Sequence, residues 1–198
     1  RTSSPDTLAD AQAVIDLLGL PSDMVDITPM VEPLFQRFPD MDGVRRGNVM
    51  ARMRMIVLYD QSVAWNGLVM GTGNRTEALL GYTTLYGDSA CALNPIGGLY
   101  KTQLWQLAAA LGVPRQIIEK PPSADLWPGQ TDEGELGFTY AAVDQLLYLL
   151  FDEGANPDEV VAAGFERAFI ERVLDLVHRT EFKRRLPSVA RMHGRLVE

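Results

Sequence analysis

Four stretches of this sequence combine glycine, polar and charged residues at spacings that suit a phosphorylated ligand. The first is Gly71-Thr72-Gly73-Asn74 with Glu77, directly after the apolar Gly67-Leu68-Val69-Met70. A glycine lets a phosphate approach the backbone, and a hydroxyl with a carboxylate suits a nucleotide and its Mg²⁺. The same residues also spell a plain turn followed by a helix. The second stretch is Lys120 to Phe138, with Ser123 near its root and Trp127 inside it. Such a loop folds over a nucleotide and excludes water, or it is a surface loop anchored by a buried tryptophan. The third is Phe182-Lys183-Arg184-Arg185-Leu186-Pro187, a basic cluster that is either solvated or an anion clamp. The fourth is Gly47-Asn48 with Arg52. At i and i+4, Asn48 and Arg52 share one helix face, and a polar ligand would bridge them.

The elements that must hold these residues follow from apolar spacing and from caps. Ser4-Pro5-Asp6-Thr7 starts a helix, with an apolar stripe at Leu8, Ala11, Val14, Leu17 and Leu18. Gly19 and Pro21 end it, and Met24 to Ile27 reads as a short buried strand. Thr28-Pro29 opens a helix through Phe38. Gly43 to Trp65 reads as a long helix with a broad apolar, methionine-rich face. Gly67 to Met70 is a strand, so strand, Gly-Thr-Gly-Asn and helix form one α/β unit. Leu99 to Leu111 is helical, and Pro114 starts a short helix through Glu119. Lys120 to Gly137 lacks periodicity and reads as a long loop. Helices follow from Thr139 to about Asp152, from Asn156-Pro157-Asp158-Glu159 onwards, and from Phe165 to Thr180. The pattern is an α/β half followed by a mostly helical half.

Composition narrows the function. The chain has 198 residues, 46% hydrophobic and 22% charged, with a formal net charge of -8. That charge argues against broad nucleic-acid binding. Local clusters, such as Arg45, Arg46, Arg52 and Arg54, suit a small anionic ligand instead. Cys91 is the single cysteine, so no intrachain disulfide forms; this fits a reducing, cytoplasmic setting. Cys91 is expected to be a buried small hydrophobe. No run approaches the ~18 apolar residues of a membrane span.

Taken together, GNVMARMRM, LVMGTGNRTEALLGYTTLYGD, NPIGGLYKTQLWQLAAALGVP, KPPSADLWPGQTDEGELG and EFKRRLP resemble the NAD synthetase family of N-type ATP pyrophosphatases. They occur in family order and span almost the whole chain. TLYGD looks more like glutamine-using members than the ammonia-only type, which commonly has Lys where Leu85 stands. The resemblance implies an adenine-nucleotide-hydrolase-like parallel sheet flanked by helices, with a helical C-terminal part, over residues 1–198. It implies ATP-dependent amidation of deamido-NAD through an acyl adenylate, with ammonia, free or from glutamine, as nitrogen donor. Residue by residue, it places Thr72, Lys101 and Ser123 on ATP, and Glu77 on Mg²⁺. Asn48, Arg52, Tyr82, Leu85 and Lys183 fall on the deamido-NAD side, and Arg1 near the adenosine. Leu85 and Ala92 depart from the Lys and Asp of the ammonia-only pattern. A homodimer is implied, for which the long helix Gly43–Trp65 is the candidate contact. A glutaminase domain upstream is implied if glutamine is the donor.

The family's pyrophosphate loop, Ser-Gly-Gly-x-Asp-Ser, does not occur in these residues. The chain therefore reads as a synthetase domain lacking its first strand, loop and first helix. The alternative is a non-catalytic module that binds a dinucleotide and dimerises. The 198 residues by themselves are expected to release no pyrophosphate from ATP. Release by the purified chain, followed with a coupled pyrophosphatase assay, would refute this.

Overall fold

The structure is a computed structural model that describes residues 5–126, 129–187 and 189. Ten α-helices are formed among the described residues. The first three are α1 (Pro5–Leu18), α2 (Thr28–Arg37) and α3 (Gly43–Ala64). A short α4 (Arg75–Leu80) follows the Gly-Thr-Gly-Asn turn, then α5 (Lys101–Ala110) and α6 (Arg115–Ile118). The C-terminal half holds α7 (Asp132–Leu136), α8 (Tyr140–Phe151), α9 (Pro157–Ala162) and α10 (Arg167–Arg179). A 3₁₀ turn, Glu181–Arg184, closes it. The expected start signal at Ser4 lies outside the described residues.

The β content is smaller than the sequence predicts. The strand expected at Gly67–Met70 is reduced to one parallel bridge, Met70 to Leu93. Gly71 N–H donates to the Leu93 carbonyl at 2.7 Å, and Ala92 N–H to the Val69 carbonyl at 2.9 Å. Met24–Ile27 forms no strand. There the side chains of Asp23 and Asp26 accept the backbone N–H groups of Met24 and Thr28 at 2.7 and 2.9 Å. Such local side-chain bonds compete with a ladder.

The main core is built by the helices around α8. Tyr140, Val143, Leu146 and Leu147 are fully buried and recur at helical spacing on one face. Ile170, Val173 and Val177 supply the matching stripe of α10, and Val160 that of α9. Fully burying each such aliphatic side chain stabilises by about 1.5–3 kcal/mol. Caps set where these helices begin. Thr139 Oγ1 accepts from Ala142 N–H at 3.3 Å, and Asn156 Oδ1 accepts from Asp158 and Glu159. Both helix starts agree with the sequence reading.

A second, smaller cluster joins Val31 and Phe35 of α2 to Met50 of α3, with Leu126 packed against it. The rest of the apolar surface of α3 is not buried: Ile56, Leu58 and Val63 are exposed. The α1 stripe is likewise exposed at Leu8, Leu17 and Leu18, although its periodicity is sound. Trp65, Leu68, Met70, Met24 and Val25 line an open groove of about 1380 Å³. α5 starts two residues later than expected, and Leu107 and Leu111 are exposed rather than packed.

Tyr100, at the N-cap of α5, is 4% exposed and donates a short hydrogen bond to Asp152. Burial first, and the Asp152 bond second, push its phenol up to about 12, against the opposing Arg75. Tyr140 is shifted upward as well, mainly by burial. A phenol raised in the folded state contributes stability that is complete below its unfolded value near 10. That contribution is lost as pH rises through about 12. Urea midpoints are therefore expected to fall steeply between pH 10 and 12, and less steeply in Tyr100→Phe.

Candidate functional site

The question raised by Gly-Thr-Gly-Asn and Glu77 has a structural answer that leaves the chemistry in place. Asn74 is the N-cap of α4, and its Oδ1 accepts from Glu77 N–H at 3.0 Å. Glu77 Oε2 accepts from Asn74 N–H at 3.0 Å, which completes a capping box. The other oxygen, Oε1, takes the Lys101 Nζ at 3.1 Å. Both side chains are less than one-fifth exposed. Lys101 also stands 5.2 Å from the ring centroid of Tyr140. Gly71 is required by packing, because a Cβ there would lie 2.6 Å from Cys91 Sγ. Cys91 is half-buried against this turn rather than fully buried. Thr72 is exposed at the mouth of the turn.

Lys101 and Glu77 are held together by residues that the sequence reading missed. Asp144 of α8 is 4% exposed. Its two oxygens accept from Thr76 Oγ1 at 2.6 Å and from Thr102 N–H at 2.8 Å. Thr76 Oγ1 in turn accepts from Lys101 N–H at 3.0 Å. One buried carboxylate thus ties α4, α5 and α8 together. The available signal was a charge at a core-facing position of α8, four residues after Tyr140.

The residues expected on the dinucleotide side also converge, around residues 81–88. Thr84 Oγ1 donates to Asn48 Oδ1 at 2.8 Å. Arg52 Nε donates to the Leu85 carbonyl at 3.2 Å. Asn48 and Arg52 therefore face the same loop. Lys183 Nζ donates to the carbonyls of Gly81 and Thr83, both at 2.7 Å. Burial lowers the Lys183 ammonium pKa, with Asp88 opposing and Arg52 adding to the fall. Tyr82 OH donates to Glu135 Oε2 at 2.7 Å. Burial and that bond push the Tyr82 phenol above its ordinary range. Arg184 donates to Ala78, Leu79 and Val177 carbonyls, so it closes the ends of α4 and α10.

The loop at Lys120–Gly137 departs from expectation, because its second half is helical. Thr131 Oγ1 accepts from Gly134 N–H and starts α7. The three acidic side chains of α7 then serve three partners. Asp132 accepts from Tyr140 OH at 2.8 Å, Glu133 from Tyr140 N–H at 2.7 Å, and Glu135 from Tyr82. This acidic stretch reads as loop because α7 is only five residues long. Ser123 is exposed and accepts from Asp125 N–H at 3.0 Å, so the structure gives it no contact with Lys101 or Glu77. Trp127 and Arg1 lie outside the described residues. Among the described residues, no cluster of three or more metal-ligating side chains occurs. Glu77 offers a single carboxylate, which suits a Mg²⁺ that takes most of its ligands from phosphates and water. No helix among the described residues is long and apolar enough to cross a membrane.

A parallel bridge ending in a capped turn, with a lysine and carboxylate beyond its carboxyl end, is the arrangement of an α/β protein, in which ligands bind at the carboxyl ends of strands. Comparison with known proteins makes the class specific. The sequence profile of the NAD synthase family matches residues 1–187. The NH(3)-dependent NAD(+) synthetase of Trichlorobacter lovleyi is 56% identical over 198 residues, covering all of this chain and 72% of that protein. A solved NMN synthetase from Francisella tularensis superposes with a TM-score of 0.83 at 33% identity, over 96% of this chain and 75% of that one. The NH3-dependent NAD synthetase from Campylobacter jejuni gives 0.78 at 31% identity, over 96% and 74%. The fold is accordingly adenine-nucleotide-hydrolase-like, and the chain belongs to the NAD synthase family.

Asn74→Ala, which removes the cap of α4 and exposes no new charge, is expected to cost about 0.5–2 kcal/mol of unfolding free energy. Asn74→Ser, which keeps an acceptor, should recover most of it in urea denaturation.

Proposed function

We infer that this chain carries the ligand sites for ATP-dependent amidation of deamido-NAD to NAD. The observation that supports this is the placement of two polar clusters at opposite ends of one short helix. Glu77 and Lys101 stand at the N-terminus of α4, and residues 81–88 with Asn48, Arg52 and Lys183 at its C-terminus. α4 is six residues long, so at ~1.5 Å per residue the clusters lie roughly 10 Å apart. That suits two anionic substrates whose reacting groups must meet.

In this reading ATP lies at Thr72, Lys101 and Ser123, and deamido-NAD lies at Asn48, Arg52, Tyr82, Leu85 and Lys183. Glu77 holds Mg²⁺, which when bound neutralises phosphate charge. Glu77, now bonded to Lys101 Nζ, would hold that cation, and the Lys101 ammonium would then be free to turn to the phosphates. Lys101 stabilises the charge that develops on the leaving pyrophosphate, and the cation would share that role. Transfer of adenylate to the pyridine carboxylate supplies the leaving group that the carboxylate lacks. Ammonia attacks the acyl carbon, AMP departs, and the amide forms. Ammonia rather than glutamine is favoured by relatives named NH(3)-dependent at 46–56% identity. The exposed apolar residues of α3 suit a homodimer contact. The pyrophosphate loop absent from these residues must come from elsewhere for turnover.

A second reading concerns the length of the substrate. The NMN synthetase from Francisella tularensis is among the similar structures, and Leu85 and Ala92 stand where the ammonia-only pattern has Lys and Asp. A mononucleotide acceptor would need fewer contacts there. Calorimetric titration separates these roles. Arg52→Ala is expected to weaken deamido-NAD about tenfold or more, the worth of one charge-assisted hydrogen bond. Lys101→Ala should do the same to ATP, each leaving the other ligand within about threefold. Crossed effects would remove the assignment, and tighter binding of nicotinic acid mononucleotide than of deamido-NAD would favour the second reading.

A further inference from the structure

The two ligand loops are joined by a closed ring of contacts, and one unassigned residue completes it. Glu135 Oε2 accepts from Tyr82 OH at 2.7 Å, on the dinucleotide side. Its other oxygen, Oε1, accepts from Gln130 Nε2 at 3.0 Å. Gln130 is 8% exposed, and its Oε1 accepts from Leu126 N–H at 2.8 Å, in the loop that carries Ser123. Leu126 lies over α3 at Gly47, where a Cβ would stand 2.6 Å from Leu126 Cδ1. Next to Gly47, Asn48 accepts from Thr84 Oγ1, two residues from Tyr82. The ring is then complete: Leu126, Gly47–Asn48, Thr84–Tyr82, Glu135, Gln130 and back to Leu126.

We propose that Glu135 is a positioning residue that couples ATP binding to deamido-NAD binding by locking the loop of Ser123 to the loop of Tyr82. This rests on the functional reading above. The chemistry at position 135 is narrow. Gln130 presents a donor to it, and the Tyr82 phenol, which can donate or accept, donates to it here. A carboxylate serves both, a carboxamide serves both only by reversing the Tyr82 bond, and an aliphatic side chain serves neither. The Gln130 amide is spent between two neighbours, so it cannot turn to compensate. Whichever ligand seats first immobilises its own loop, and the ring passes that order to the other loop. The second ligand then finds its loop already placed, which is a coupling free energy shared equally by both sites.

The test is a pair of binding isotherms on the unaltered chain, using deamido-NAD and a non-hydrolysable ATP analogue, each with and without saturating amounts of the other. Each is expected to tighten the other by about fivefold or more. In Glu135→Leu the ratio should fall to about one, while each affinity measured alone stays within about threefold. Glu135→Gln keeps a partner for both Gln130 and Tyr82, because the phenol accepts from the new amide, and should keep most of the ratio. A loss of general stability would not separate the two variants in this way. Should Glu135→Leu fail to fold, Gly47→Ala breaks the opposite side of the ring and must also lower the ratio. Independent binding in the unaltered chain, a ratio that survives Glu135→Leu, or a ratio lost equally in folded Glu135→Gln overturns the coupling. Failure of either nucleotide to bind at all overturns the functional reading, and this inference with it.

Discussion

The Asp144 carboxylate is the constraint on which the site depends. It is almost fully buried, and both of its oxygens are used, by Thr76 Oγ1 and by Thr102 N–H. A buried charge is tolerated only when hydrogen bonds replace its lost hydration. Here those bonds come from the first turns of α4 and α5. The same interaction that satisfies Asp144 therefore places Glu77 and Lys101 within 3.1 Å of each other. The ion pair is a consequence of how three helix ends meet around one carboxylate.

α4 carries this order across the site. Its start is set by the Asn74–Glu77 capping box, and its end by Gly81 at φ 68°, a left-handed conformation that favours glycine. A Cβ at Gly81 would also strike Thr180, so the C-terminal segment presses directly on this turn. Lys183 and Arg184 then donate to the carbonyls that the end of α4 leaves free. In the basic cluster, these two side chains work first as donors to backbone. Lys183 keeps its position beside residues 81–88 because the carbonyls of Gly81 and Thr83 hold it there.

The structure also redistributes apolar surface. α8, α9 and α10 bury their stripes completely, whereas α1 and much of α3 leave theirs exposed. The stripe on a helix states that one face is apolar, and says nothing of which neighbour covers it. This is why the periodicity of α1 and α3 was legible while their burial was not. The Met24–Ile27 segment shows the matching failure for strands. Its β-branched character suits a sheet, but neighbouring aspartates bond its backbone locally, and β preference depends on cross-strand partners.

The sequence alone determined where α4, α8 and α9 start, because caps act over three or four residues. Asn74, Thr139 and Asn156 each bond the backbone just ahead of them, and such contacts are readable in a linear pattern. It also determined the family, through long motifs in order, and with it the residues expected to face a ligand. Only the tertiary structure decided what those residues do while waiting for one. Glu77 is at once a cap and a lysine partner, and Glu135 reaches back 53 positions to Tyr82. Asp144 reaches back 68 positions to Thr76. The physical reason is range: a cap is closed by adjacent residues, whereas a buried carboxylate is satisfied by whichever donors the packed helices bring to it.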